Sequence, residues 1–295
     1  MNERVHHALG QAIHRVLSGA WIPQFRLERG LQHGDFKNSD PAPRTAKASA
    51  EQHNWLGTTE PSKKTAPKQP APCPEPATPD PLLGPRTKKP GSWVGRSPVQ
   101  SNLPIVVMEG HADSQGTASP GTPGYAVDQQ KRPPMQPGIR DELFWNREVQ
   151  AAVVRQGQAL GLNIRAYTPP SISIANDDDP STNWSKAKVF SERGEYVLEI
   201  HFDAYQPHGF GSGLIPVLPN VRELNVVDES LAQAFGRYPR LFRGGLGGPR
   251  RGIGILEIAM LEPPLETKLR DPLSREYTVN CLARRVVNAL IQGLS

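Results

Sequence analysis

The chain has 295 residues, 37% hydrophobic, with 31 prolines and a formal charge of +5. This composition fits a globular domain joined to a segment too poor in apolar side chains to build a core, and the net positive charge favours an anionic partner or a basic tail. Two cysteines, Cys73 and Cys281, are too few and too badly placed for a disulfide framework or a zinc–thiolate cluster, no run approaches a membrane span, and residues 1–10 lack the apolar centre of a secretory signal.

Residues 1–20 place Val5, Leu9, Ile13, Val16 and Leu17 at helical spacing, which predicts a short amphipathic helix. Residues 21–101 form a basic, proline-rich stretch, with thirteen prolines between Pro41 and Pro98, expected to be a largely disordered linker. The folded domain is expected over 102–295. It opens with an apolar strand, Pro104 to Glu109, followed by a long polar loop (112–138) of a length typical of functional loops. A helix is predicted from Asp141 to Leu160, a short strand from Leu162 to Ala166, an acidic loop from Ser173 to Thr182 and a helix from Trp184 to Arg193. Then come a strand Tyr196 to His201, a broken helix Asp228 to Phe242 and a strand Ile253 to Met260. A final helix is opened by Asp271-Pro272 and runs to Leu294. Strands alternating with helices predict an α/β fold, a mostly parallel twisted sheet with helices on both faces.

Three of the apolar runs end in, or contain, a group able to bind metal or carry a proton. Buried parallel strands deliver such groups to their carboxyl ends, where open α/β sheets bind ligands. Gly110 lets the chain turn before His111. His201 closes its strand on the same face as Glu199, and neutral imidazole there suits zinc. Glu142 opens a helix, where the dipole favours a carboxylate with or without a metal. Glu257 stands in Ile-Leu-Glu-Ile-Ala, where an unpaired charge is costly and burial raises the pKa toward the range of a general base.

With these residues in view, segment 103–293 resembles the type-3 family of zinc-dependent N-acetylmuramoyl-L-alanine amidases, which hydrolyse peptidoglycan. Gly110-His111-Ala112 matches the family's Gly-His-Gly, and Glu142 to Asn146 its glutamate and asparagine four residues apart. Glu199-Ile-His201-Phe-Asp203-Ala204 matches Ser-Ile-His-x-Asn-Ala, and Leu256-Glu257 the late Leu-x-Glu strand. The resemblance implies that His111, Glu142 and His201 hold one Zn²⁺ and that Glu257 is the catalytic base. The bond cut would join N-acetylmuramic acid to the L-alanine of the stem peptide. Departures lie beside these residues: Ala112, Glu109, Glu199, Asp203 and Ile258-Ala259-Met260. Glu199 or Asp203 could serve as a hydrogen-bonding partner of a ligand histidine.

Two rivals remain: a wall-binding scaffold that kept the fold and lost activity, and a zinc carboxypeptidase. The latter requires a glutamate three residues after the first histidine, where this chain has Ser114. The glycine-rich stretch Arg243 to Arg251 lacks the Gly-Lys-Ser/Thr ending of a phosphate loop and is expected to border the cleft. Arg250, Arg251 and Asp203 are the candidate substrate contacts. His208, among glycines, is expected to face solvent or substrate rather than a metal. A monomer is expected, with peptidoglycan as substrate, no nucleic-acid partner and, from the substrate, a place in the cell envelope.

Overall fold

A computed structural model describes residues 72–295. The helix expected over 1–20 and most of the linker lie outside the described residues. The apolar runs become β1 (Ile105–Glu109), β3 (Tyr196–Asp203) and β5 (Ile253–Met260). They are joined by β2 (Ile164–Tyr167) and by β4 (Gly213–Ile215), which is too short to read from pattern. The sheet order is β2-β1-β3-β5-β4, parallel except for the β4–β5 pair. Helices α2 (Asp141–Ala159), α4 (Val226–Phe235) and α7 (Arg275–Leu294) flank the sheet together with α3 (Asn183–Glu192). Short α1 (Tyr125–Asp128), α5 (Gly247–Arg250) and α6 (Leu265–Arg270) sit in the connections.

Strand alternation assigns the two faces. Ile105, Val107, Leu198, Ile200, Phe202, Leu256 and Ile258 join Trp145 and Val149 of α2, Leu231 and Phe235 of α4 and the apolar stripe of α7 in the larger core. Val106, Met108, Val197, Ile253 and Ile255 point the other way and pack with Ala187 of α3, Tyr238 and Phe242. Both faces are covered, which is why these strands read as continuous apolar runs. Helix α4 starts at a capping box, Asn225 with Asp228. The predicted break before Phe242 falls earlier, at Gly236. The last helix begins at Arg275 rather than at Asp271, because residues 265–270 form α6 and the chain turns between the two helices.

Two expectations need correction. Residues 72–101 are not a free linker: Leu82 and Leu83 are buried in the larger core, and Trp93 Nε1 donates to the Tyr238 carbonyl at 2.6 Å. Gly91 and Gly95 pass so close to the backbone that a Cβ would lie 2.4 Å from Tyr238 O and 2.1 Å from Asn225 O. The proline content hid a few well-spaced anchors. The second correction is that Cys73 and Cys281 form a disulfide, their Cα atoms 5.4 Å apart across a sequence separation of 208 residues. Sequence distance had made them look unrelated, whereas the folded segment lays Cys73 on α7.

Candidate metal centre

The parallel register brings the functional groups together. His201 pairs directly with Glu257 across β3 and β5, and Glu199 precedes His201 by one pleat, on the same face. His111 follows β1 at φ 61°, a left-handed conformation uncommon for a side chain other than glycine, so the histidine itself makes the turn that had been assigned to Gly110. Gly110 serves another purpose. A Cβ there would lie 2.4 Å from Cε1 and Nε2 of His201, so only glycine lets the imidazole lie against β1. Asn146 Nδ2 donates to the Gly110 carbonyl at 3.0 Å and ties α2 to this turn.

Glu142, in the first turn of α2, is the centre of the cluster. Its Oε2 accepts from the Thr122 N–H at 2.6 Å, while Oε1 lies 3.4 Å from His111 Nε2 and 3.1 Å from His201 Nδ1. One ligand atom from each of His111, Glu142 and His201 falls within 4.8 Å of the others. The imidazoles meet edge to face at 4.9 Å. His111 Nδ1 lies 3.1 Å from the Ser119 carbonyl, which can only accept a hydrogen bond; this favours the proton on Nδ1 and leaves the Nε2 lone pair for the cluster. His201 Nε2 is buried without a hydrogen-bond partner, 3.4 Å from Glu199 Oε2, and Nδ1 faces Glu142. Two nitrogens and a carboxylate oxygen that converge in this way could hold a metal ion.

The titration behaviour follows from the same crowding. Burial would raise the Glu142 pKa, but the His111 and His201 rings hold it well below the usual carboxylate range. Burial would lower that of His201, yet the carboxylates of Glu142, Glu199 and Glu257 push it well above the ordinary imidazole value. Burial raises Glu257 to about 8, with help from the Asp203 and Glu142 charges and opposed by His201 and Arg243. Its Oε2 is buried with no partner.

No protein-family profile and no curated protein sequence matches the chain. Solved structures do. The N-acetylmuramoyl-L-alanine amidase of Clostridium difficile 630 is similar over 64% of this chain and 96% of its own, at 12% identity and a TM-score of 0.40. For the Ami1 amidase of Mycobacterium smegmatis the figures are 65%, 99%, 14% and 0.41, and for AmiC2 of Nostoc punctiforme 65%, 97%, 13% and 0.38. Likenesses this distant carry no functional weight.

The remaining expected site residues make contacts within the chain. The Asp203 carboxylate accepts from the backbone N–H groups of Ala204, Phe210 and Gly211, which shapes the loop after β3. Arg250 is folded onto the carbonyls of Gly244 and Gly245. Arg251 stacks on Trp184, its guanidinium 4.7 Å from the ring centroid, with Asp178 at 3.9 Å. His208 is exposed, and Ser114, where a carboxypeptidase needs a ligand, instead lies 3.3 Å from His111 Nδ1. Sequence reasoning overlooked two features. Asn183, at the start of α3, donates to Glu199 Oε1 at 2.8 Å and to the Glu109 carbonyl at 2.8 Å, while its N–H reaches Asp113 Oδ2 at 2.7 Å. Arg243, in the stretch whose last arginines were chosen, is the arginine whose charge is felt at Glu257.

Proposed function

We propose that the chain is a zinc-dependent amidase that hydrolyses the bond between N-acetylmuramic acid and L-alanine in peptidoglycan stem peptides. The observation that carries the reading is the convergence of His111, Glu142 and His201 within 4.8 Å, with Glu257 on the neighbouring strand directly opposite His201. Zinc held by those three residues would supply Lewis-acid chemistry, polarising the amide carbonyl and making water more acidic.

The chain's own part in the reaction is proton management and orientation. Glu257, directly opposite His201, would in its ionised form take a proton from the attacking water and return it to the leaving amine; burial raises its pKa to about 8 in the metal-free protein, so ionisation at neutral pH requires the added positive charge of a bound metal. Glu199, held by Asn183, faces His201 Nε2 and favours a proton on that nitrogen, leaving Nδ1 to the cluster. Thr122 fixes the far oxygen of Glu142, so that the near one stays between the two rings.

The disulfide adds a point about location. A Cys73–Cys281 bond persists in oxidising compartments, which agrees with work on the cell wall. No helix among the described residues is long and apolar enough to cross a membrane.

The test combines metal analysis with product analysis. His111→Ala and His201→Ala should each lose zinc and hydrolysis together. Glu257→Gln should keep the metal and lose turnover by a factor on the order of 10² or more. A protein that binds wall fragments and zinc but releases no stem peptide would favour the scaffold reading.

A further inference from the structure

The connection that was expected to meet substrate through Arg250 and Arg251 offers a different arginine. Arg243 is exposed and sits at φ 53°, a left-handed conformation for a residue with a side chain. Its guanidinium lies 5.2 Å from the ring centroids of both Phe210 and Phe242. Two more cations reach the same Phe210 ring from the segment before β1, Lys88 Nζ at 5.4 Å and Lys89 Nζ at 5.0 Å from the centroid. Among the described residues no carboxylate pairs with any of the three, although Arg147, Arg222, Arg237, Arg270 and Arg285 each have one. Lys88 reaches only the Pro207 carbonyl, at 3.4 Å.

The ring that gathers them sits on the connection between β3 and β4. The backbone N–H of Phe210 donates to the Asp203 carboxylate, two residues past His201. Phe210 meets Phe242 edge to face at 5.3 Å, and Phe242 meets Tyr238 at 4.7 Å. The Tyr238 hydroxyl donates to the Gly211 carbonyl at 2.6 Å. Gly213, three residues after Phe210, pairs directly with Glu257 across β4 and β5, so the connection that carries the ring leads to the strand position beside that glutamate.

We propose that Arg243, Lys88 and Lys89 around Phe210 form a carboxylate subsite for the stem peptide. It selects substrates whose second residue keeps a free carboxylate over those in which it is amidated. The proposal rests on the amidase reading and names the substrate class of that site. A guanidinium with two ammonium groups suits a carboxylate within a residue or two of the scissile bond. An extended phosphodiester polymer would be held by a longer basic track.

The test uses the full-length, zinc-loaded protein and two soluble muropeptides that differ only in a free or amidated carboxyl on the second residue. Binding is measured by calorimetry and cleavage by product analysis. The free acid should bind roughly tenfold more tightly and be cleaved preferentially through KM. In an R243Q/K88Q/K89Q variant, shown by thermal unfolding to be folded, that preference should fall toward one. Selective binding of the acid without cleavage would leave the subsite standing and remove the amidase reading. Equal binding of both muropeptides by the wild-type protein would overturn the subsite. So would a variant that keeps the preference, or one that loses only its affinity for poly(glycerol phosphate).

Discussion

At the scale of single residues, His201 is closely enclosed. Its ring lies where a Cβ on Gly110 would intrude, with Glu142 on one nitrogen and Glu199 near the other. If Glu199 sets the protonation of this imidazole, Glu199→Ala should weaken zinc binding about 10- to 100-fold, as loss of such a partner usually does. Glu199→Gln, which can still accept a hydrogen bond, should lose less. Competition titration against a chelator measures both, and affinities equal to wild type would show Glu199 to be packing alone. The residues of the cluster were legible because each follows or ends an apolar run or opens a helix. Arg243 was not, because its role depends on Phe210, Phe242 and two lysines that only the tertiary fold gathers. Glu199 was visible as a departure from a familiar motif, but its anchor Asn183 was hidden at the start of another helix.

At the scale of elements, the polar loop after β1 is pinned from α6. Glu266 is buried, accepts from the Ala126 N–H at 2.9 Å at the start of α1, and leaves Oε1 without a partner against Gly124. Burial raises its pKa from 4.5 to about 7, with the Asp141 charge adding and Arg270 opposing. A carboxyl whose folded pKa is raised contributes fully below the unfolded value. That contribution is then lost as pH rises from about 4.5 to about 7, a loss of at most about 3 kcal/mol. Glu266→Gln keeps the acceptor and removes the charge. It should therefore stabilise the metal-free protein at pH 8 and leave it unchanged at pH 4, as read by chemical denaturation. Equal effects at both pH values would contradict the assignment. None of this was visible in sequence, since α6 is six residues long and its partner lies 140 residues away. Strands β1, β3 and β5 were legible because burial on both faces leaves an unbroken apolar run, a signal that three-residue β4 is too short to give.

At the scale of the whole molecule, the segment before β1 is stapled across the domain. The Cys73–Cys281 bond spans 208 residues of sequence, and Arg285 of α7 pairs with Asp80 at 2.8 Å nearby. A loop of that size restricts the unfolded chain strongly, so Cys73→Ser should cost about 2–5 kcal/mol. Reductant should lower the melting temperature of the wild type and leave that of the variant unmoved; identical melting with and without reductant would count against the bond. Composition could not reveal this staple, because proline enrichment marks the segment as extended, and extended chain is equally able to lie along a folded surface. Anchors such as Leu82, Leu83 and Trp93 stand in the sequence but gain meaning only from the groove that receives them. The central claim is most directly tested by mass spectrometry of peptidoglycan treated with the purified, zinc-loaded chain, with zinc measured in the same samples. The wild type, at about one zinc per chain, should release stem peptides with a free alanine amine, and Glu257→Gln at equal zinc should release them slower by a factor on the order of 10² or more. Release by Glu257→Gln at the wild-type rate, or no release by zinc-loaded wild type, would contradict the account.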